Sequence, residues 1–146
     1  MEKNITNYLN AIYQNSKTAL SSIDGILTKI ECKDLRDEIL KEEKRYKEVA
    51  EECEAFASKN GIDGIKDNNW FEKARLWTSI NVGTLTDKSN RKIAEMMLFG
   101  TFMGVITCIK DEFDHKDLSP ELDAIITKLK DIERESITSL IPYLEK

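Results

Sequence analysis

Glu42 is a charged residue in an otherwise apolar helical stripe. Leu35, Ile39, Glu42, Tyr46, Val49, Cys53 and Phe56 recur at spacings of three and four, so a helix through them turns this carboxylate toward a core. Glu133 falls in the same way on the face through Leu122, Ile126, Leu129, Ile137 and Leu140. Two inward carboxylates are hard oxygen ligands of the kind that iron or manganese accepts. Left without a metal or a hydrogen bond, each would be strongly destabilising or would take up a proton. Hydrogen bonds to Tyr46, Ser22 or Arg45 are the expected alternative.

The remaining candidates are weaker. His115 is the single histidine and lies among Asp111, Glu112, Asp114 and Asp117. That group could hold a surface divalent ion, yet it reads better as a solvated helix end. One histidine without a serine or cysteine in a recognisable elbow gives no nucleophilic triad. No glycine-rich phosphate loop or dinucleotide fingerprint is present. Gly100 and Gly104, four apart in an apolar helix, clear a face for a close-packed neighbour or a flat ligand, with Met96, Met97 and Met103 nearby. Cys32, Cys53 and Cys108 form no Cys-x-x-Cys pair. An odd number of scattered thiols suits a reducing cytoplasm, and Cys53 and Cys108 are expected as small buried hydrophobes.

The elements that would position these residues are helical throughout. A first helix is expected from about Glu2 to Glu31 on the stripe Ile5, Tyr8, Leu9, Ile12, Ala19, Ile23, Ile26 and Ile30, interrupted by Asn15, Ser16 and Ser22. After a joint at Cys32 and Lys33, Asp34 is the expected N-cap of a second helix that stops at Asn60-Gly61. Residues 61–67 read as a loop. A shorter amphipathic segment from Asn68 to about Thr86 carries Trp70, Ala74, Trp77 and Asn81 on one face, and Asp87 to Asn90 breaks the pattern. The next long helix, Asn90 to Asp114, is expected to face inward through Ile93, Ala94, Met97, Leu98, Thr101, Val105, Ile109 and Phe113. Its stretch Met96 to Ile109 reads as a buried core helix, since fourteen residues span only about 21 Å at 1.5 Å each, short of a bilayer. Ser119-Pro120-Glu121 starts the last helix with an N-cap serine, a proline at the first position and an acid at the positive end of the dipole.

Helix, short joint, helix, a connection of nearly 30 residues, helix, short joint, helix: this arrangement over almost the whole chain resembles the ferritin-like superfamily. The resemblance implies an all-α, ferritin-like antiparallel four-helix bundle with a long helical crossover, as a single domain over residues 1–146. Metal-binding members place a Glu on each of two helices and Glu-x-x-His on the other two. Here Glu42 is followed three later by Arg45, Glu43 by Tyr46, and Glu133 by Ser136. In the crossover topology Glu42 and Glu133 would lie about 12 and 16 Å from the same end of the bundle. At that depth the first helix offers Ala19, Ser22 and Ile23, and the Asn90–Asp114 helix offers Met97, Leu98 and Thr101. Both histidines of the pattern are missing, and two carboxylates are too few for a di-metal centre.

Composition narrows the classes further. The chain has 146 residues and a net charge of −5, against the basic face that phosphate neutralisation needs; no nucleic-acid partner is expected. The polar start Met1-Glu2-Lys3-Asn4 carries no secretory signal. Lysine outnumbers arginine 17 to 5, the usage of an AT-rich bacterial genome. The expectation is a cytoplasmic bacterial protein without membrane partner or cofactor, acting as a binding or assembly module, with a protein partner or as a homodimer. One alternative is an iron or manganese protein using Glu42 and Glu133. Another is a binder of small apolar ligands on the Gly100–Gly104 face, with Trp70 and Trp77 as a lid.

Overall fold

A computed structural model describes residues 2–63 and 86–145. Four helices pack together: α1 (Glu2–Leu27), α2 (Lys33–Lys59), α3 (Asn90–Asp114) and α4 (Pro120–Leu140), the last followed by a 3-10 turn over Ile141–Glu145. Among the described residues there is no strand. Trp70 and Trp77 lie outside them, as does nearly all of the expected Asn68–Thr86 segment.

Local chemistry sets the helix ends. Ser89 accepts a hydrogen bond from the Lys92 N–H at 3.2 Å, and Ser119 accepts one from the Leu122 N–H at 3.2 Å, with Pro120 behind it; both are side-chain N-caps. α2 closes in a Schellman arrangement: the Ile62 N–H reaches the Ala57 carbonyl and the Gly61 N–H the Ser58 carbonyl. Gly61 takes the left-handed φ of +65° that this cap requires. Two expected boundaries move. α1 ends at Leu27, and a turn follows in which the Lys29 N–H bonds the Ile26 carbonyl. Asp34 is not the N-cap of α2; extended Cys32 is, without a side-chain bond, and Asp34 lies in the first turn. The Arg36 guanidinium, 2.5 Å from the Ile30 carbonyl, ties the joint together, and the Arg36 backbone N–H already bonds the Cys32 carbonyl at 3.0 Å.

Cross-links along the helices fix their directions. Lys59 pairs with Glu121 at 3.6 Å and Lys128 with Glu52 at 3.1 Å, and Arg45 pairs with Glu135, so α2 and α4 run antiparallel. Tyr8 donates to Asp123 at 2.6 Å and stacks on His115, which brings the start of α1, the end of α3 and the start of α4 together. At the other end the Arg91 guanidinium donates to the Leu144 carbonyl at 2.9 Å, placing the start of α3 beside the chain's last turn. α1 packs on α2 and α3, and α4 on the same two, so adjacent helices are antiparallel. α2 therefore finishes at one end of the bundle and α3 begins at the opposite end.

The core is built from the expected stripes of α1, α2 and α4, including Leu9, Ile12, Ile39, Val49, Ile126 and Leu129. α3 departs from expectation. Ile93, Ala94, Leu98, Thr101 and Cys108 are buried, but Ile109 and Phe113 are 48% and 76% exposed. The Met96–Ile109 stretch is thus not a buried core helix. A step of four residues rotates a position about 40° around the helix axis. Two in succession, Val105 to Ile109 to Phe113, walk off the inner face, and the buried line runs from Thr101 to Cys108 instead. Among the described residues α3 is the one helix long and apolar enough to cross a membrane by length and composition, with 33% of its most apolar window buried.

Candidate functional site

The interior holds an unusual amount of polar material near mid-length. Gln14, Asn15 and Ser16 enter from α1, Glu42 from α2, Thr101 from α3, and Glu133 and Ser136 from α4. Three of these, Asn15, Ser16 and Ser136, sit where an apolar stripe is interrupted or where a metal-site histidine was sought. Their burial follows from the packing of the stripes around them, since residues flanked by core positions go inside with their neighbours.

Glu133 is 1% exposed. The Cys108 thiol donates to its Oε1 at 3.2 Å, and the same sulfur accepts from Asn15 Nδ2 at 3.2 Å. Asn15 Nδ2 also donates to the Gly104 carbonyl at 3.1 Å. The Glu133 carboxyl occupies the place that a Cβ on residue 104 would need, so the missing side chain of Gly104 is what admits it. Burial pushes the Glu133 carboxyl up to about 8, with the thiol's hydrogen bond opposing the shift. The Cys108 thiol is itself pushed up by burial and by the charge of Glu133.

Glu42 is 4% exposed, and neither of its carboxylate oxygens has a hydrogen-bond partner. Burial pushes it up to about 7; Glu38 adds to the shift, while Ser136, Arg45 and Lys41 oppose it. Ser136 lies near enough to act on Glu42, yet its hydroxyl is not at hydrogen-bonding geometry and is also unpartnered. Buried Tyr46 feels both carboxylates and Cys108, and desolvation together with those charges holds its phenol well above the usual range. The two expected acids therefore do enter one interior, and Tyr46 feels the charge of both. The expected hydrogen bonds are replaced: Glu133 takes its bond from Cys108, and Arg45 turns outward to Glu135.

The donor set does not fit a di-metal centre. Two carboxyls and one thiol are too few donors for two ions, and the histidines are lacking. Among the described residues no three His, Cys, Asp or Glu side chains come together as a metal-holding group. His115 is engaged elsewhere, its ring stacked on Tyr8 with centroids 4.8 Å apart and its Nδ1 2.7 Å from the Asp111 carbonyl. Gly100 and Gly104 also part company. A Cβ on Gly100 would meet open space, whereas the Gly104 position is filled by Glu133.

A second feature escaped the sequence reading. Phe99, Phe102, Met103, Ile106, Ile109 and Phe113 form an exposed apolar stripe down the outer side of α3, with Phe99 65% and Met103 61% open. The available signal was that α3 is apolar around its circumference, so whichever line faced the core would leave another facing out. A comparison against protein-family models finds no match, and no curated protein or solved structure matches the chain significantly.

Proposed function

We propose that this chain is a non-catalytic helical-bundle protein of the cytoplasm that works by binding or assembly, with ferritin-like connectivity and without a di-metal centre. The observation that carries the reading is the outer stripe of α3. Isolated exposed hydrophobes are ordinary, but six large ones in a continuous line mark an interaction surface. The ferritin-like part is supported by the helix directions, which require the connection between α2 and α3 to link opposite ends of the bundle.

The rival reading, an iron or manganese protein using Glu42 and Glu133, draws on one observation: both oxygens of a buried carboxyl group are unpartnered. Elemental analysis separates the two. The protein is incubated with ferrous iron or manganese, desalted and assayed for bound metal. Our reading expects far less than one ion per chain. Near-stoichiometric metal that disappears in the Glu42→Ala/Glu133→Ala double variant would replace it with the metalloprotein.

A further inference from the structure

The outer stripe of α3 has an internal symmetry that says what it fits. Phe99 lies seven residues before Ile106 and Phe113 seven after; Met103 lies three before and Ile109 three after; Phe102 lies four before and Lys110 four after. Seven residues are close to two helical turns, so all of these positions share one side of the helix, and exposure places them outside. A rotation of 180° about an axis through Ile106, perpendicular to α3, returns the stripe onto itself. That is the property of an isologous interface, in which one patch meets its own copy.

We propose that a second copy of this chain covers the stripe, with the two α3 helices antiparallel about a two-fold axis at Ile106; this rests on the assembly reading above. In that arrangement Ile106 meets the partner's Ile106, Phe99 meets the partner's Phe113, and the aliphatic stem of Lys110 lies over the partner's Phe102 while its amine stays in water. The area is of the right order. Six side chains half to three-quarters open expose roughly 700 Å², beyond the usual monomer patch and close to the roughly 800 Å² that each side of a stable complex buries. The composition is also that of an interface centre, aromatic and methionine-containing, with no charged residue between Glu95 and Lys110.

Charge at the ends of the stripe selects the orientation. The start of α3 carries exposed Lys88, Arg91 and Asp87 with Lys92 and Glu95 beside them, a basic balance, and its end carries exposed Asp114, Asp117 and Lys116, an acidic one. Antiparallel pairing sets the net basic start over the partner's net acidic end and opposes the two helix dipoles. Parallel pairing would set ends of the same net sign together and align the two dipoles.

The test uses the full chain. Light scattering across a concentration series should give twice the 16.8 kDa mass, and Ile106→Glu, which brings two carboxylates together on the axis, should raise the dissociation constant by roughly 100-fold or more. Circular dichroism should show unchanged helix content, since Ile106 is an exposed position. Cysteine pairing supplies a second readout in a Cys32→Ser background. Ile106→Cys should crosslink to itself; Phe99→Cys should not, but should crosslink to Phe113→Cys when the two variants are mixed. Self-crosslinking of Phe99→Cys would mean a parallel dimer and overturn the proposal. A dimer indifferent to Ile106→Glu would also overturn it and place assembly on another face, leaving the assembly reading standing. A monomer at every concentration overturns it as well. If thiol labelling of Phe99→Cys in that monomer is slow, the occupant belongs to the same chain. If the monomer sediments with anionic phospholipid vesicles and Ile106→Glu does not, the occupant is a lipid surface. None of these outcomes bears on the metal assay, so failure of the dimer and failure of the non-metal reading are read separately.

Discussion

The two sides of α3 solve opposite problems. On the inner side the absence of a side chain at Gly104 lets the Glu133 carboxyl lie against the helix, whereas one turn earlier on nearly the same line a Cβ on Gly100 would meet open space. The inner side holds polar groups that the core must neutralise or satisfy: Thr101, Cys108 and, across from them, Glu133. The outer side holds Phe99, Met103 and Ile106, apolar groups left in water. A helix assembled only for stability would place these sets the other way round. On the assembly reading proposed above, the apolar groups outside shape that surface for contact, and the carboxyls inside constrain which helices fit together. Buried polar groups of this kind are a known device for fixing register, at some expense in stability.

The largest effect expected from this contrast is with pH. Glu42 and Glu133 have folded pKa values of about 7 and about 8, above the ordinary 4.5. The folded state then binds more protons than the unfolded state in the window between, so stability falls as pH rises through it. The contribution is full below about pH 4.5 and is lost by the time pH passes the folded values, a fall on the order of a few kcal/mol. Urea midpoints at pH 5.5 and 8.5 would measure it, with the acidic sample the more stable. Glu133→Gln should flatten the slope; an unchanged profile would show that the two carboxyls are not buried alone.

Next in size is the inner glycine. Gly104→Leu must displace both the Glu133 carboxyl and Asn15, and should lower stability by about 1–3 kcal/mol through overpacking. Thermal denaturation would register it as a drop of several degrees, and an unchanged melting temperature would mean that the inner face is open. The smallest effect has the opposite sign. Gly100→Ala adds a methyl group where nothing lies within 4 Å, so it should stabilise by roughly 0.5–1 kcal/mol through helix propensity. If both glycine variants were to shift stability in the same direction, the distinction between the filled position at Gly104 and the open one at Gly100 would fail.

Sequence was most informative where the determining chemistry is local. Ser119-Pro120-Glu121 and Asn60-Gly61 mark helix ends because capping involves neighbours within a few residues, and the structure places those ends there. The burial of Glu42 and Glu133 was also readable, since each sits in a stripe whose other members are unambiguous. α3 was not readable in the same way. Its apolar residues surround the axis, so periodicity alone could not choose between a line through Cys108 and one through Ile109 and Phe113. Which one faces inward is decided by what α1 and α4 present to it. The match between the Glu133 carboxyl and the bare backbone at Gly104 joins residues 29 positions apart in different helices, and no local pattern announces it. Asp34 failed as a cap because the backbone already closes its first helical bond before it, from the Arg36 N–H to the Cys32 carbonyl.

The burial of the cysteines turns the molecule into its own clock. Only a thiolate attacks a thiol reagent at useful speed, and burial pushes Cys53 up to about 12 and raises Cys108 as well. Both sulfurs are enclosed, one on α2 and one on α3, while Cys32 at the first joint is partly open. A colorimetric thiol reagent should therefore consume Cys32 promptly and then wait. Each later reaction requires a fluctuation that exposes the sulfur, so its rate records how often that part of the bundle opens under native conditions. Equal slow rates at Cys53 and Cys108 would describe a bundle that opens as one unit. A faster Cys108 would describe an α3 that lifts away first, carrying its apolar stripe and its polar lining into water together.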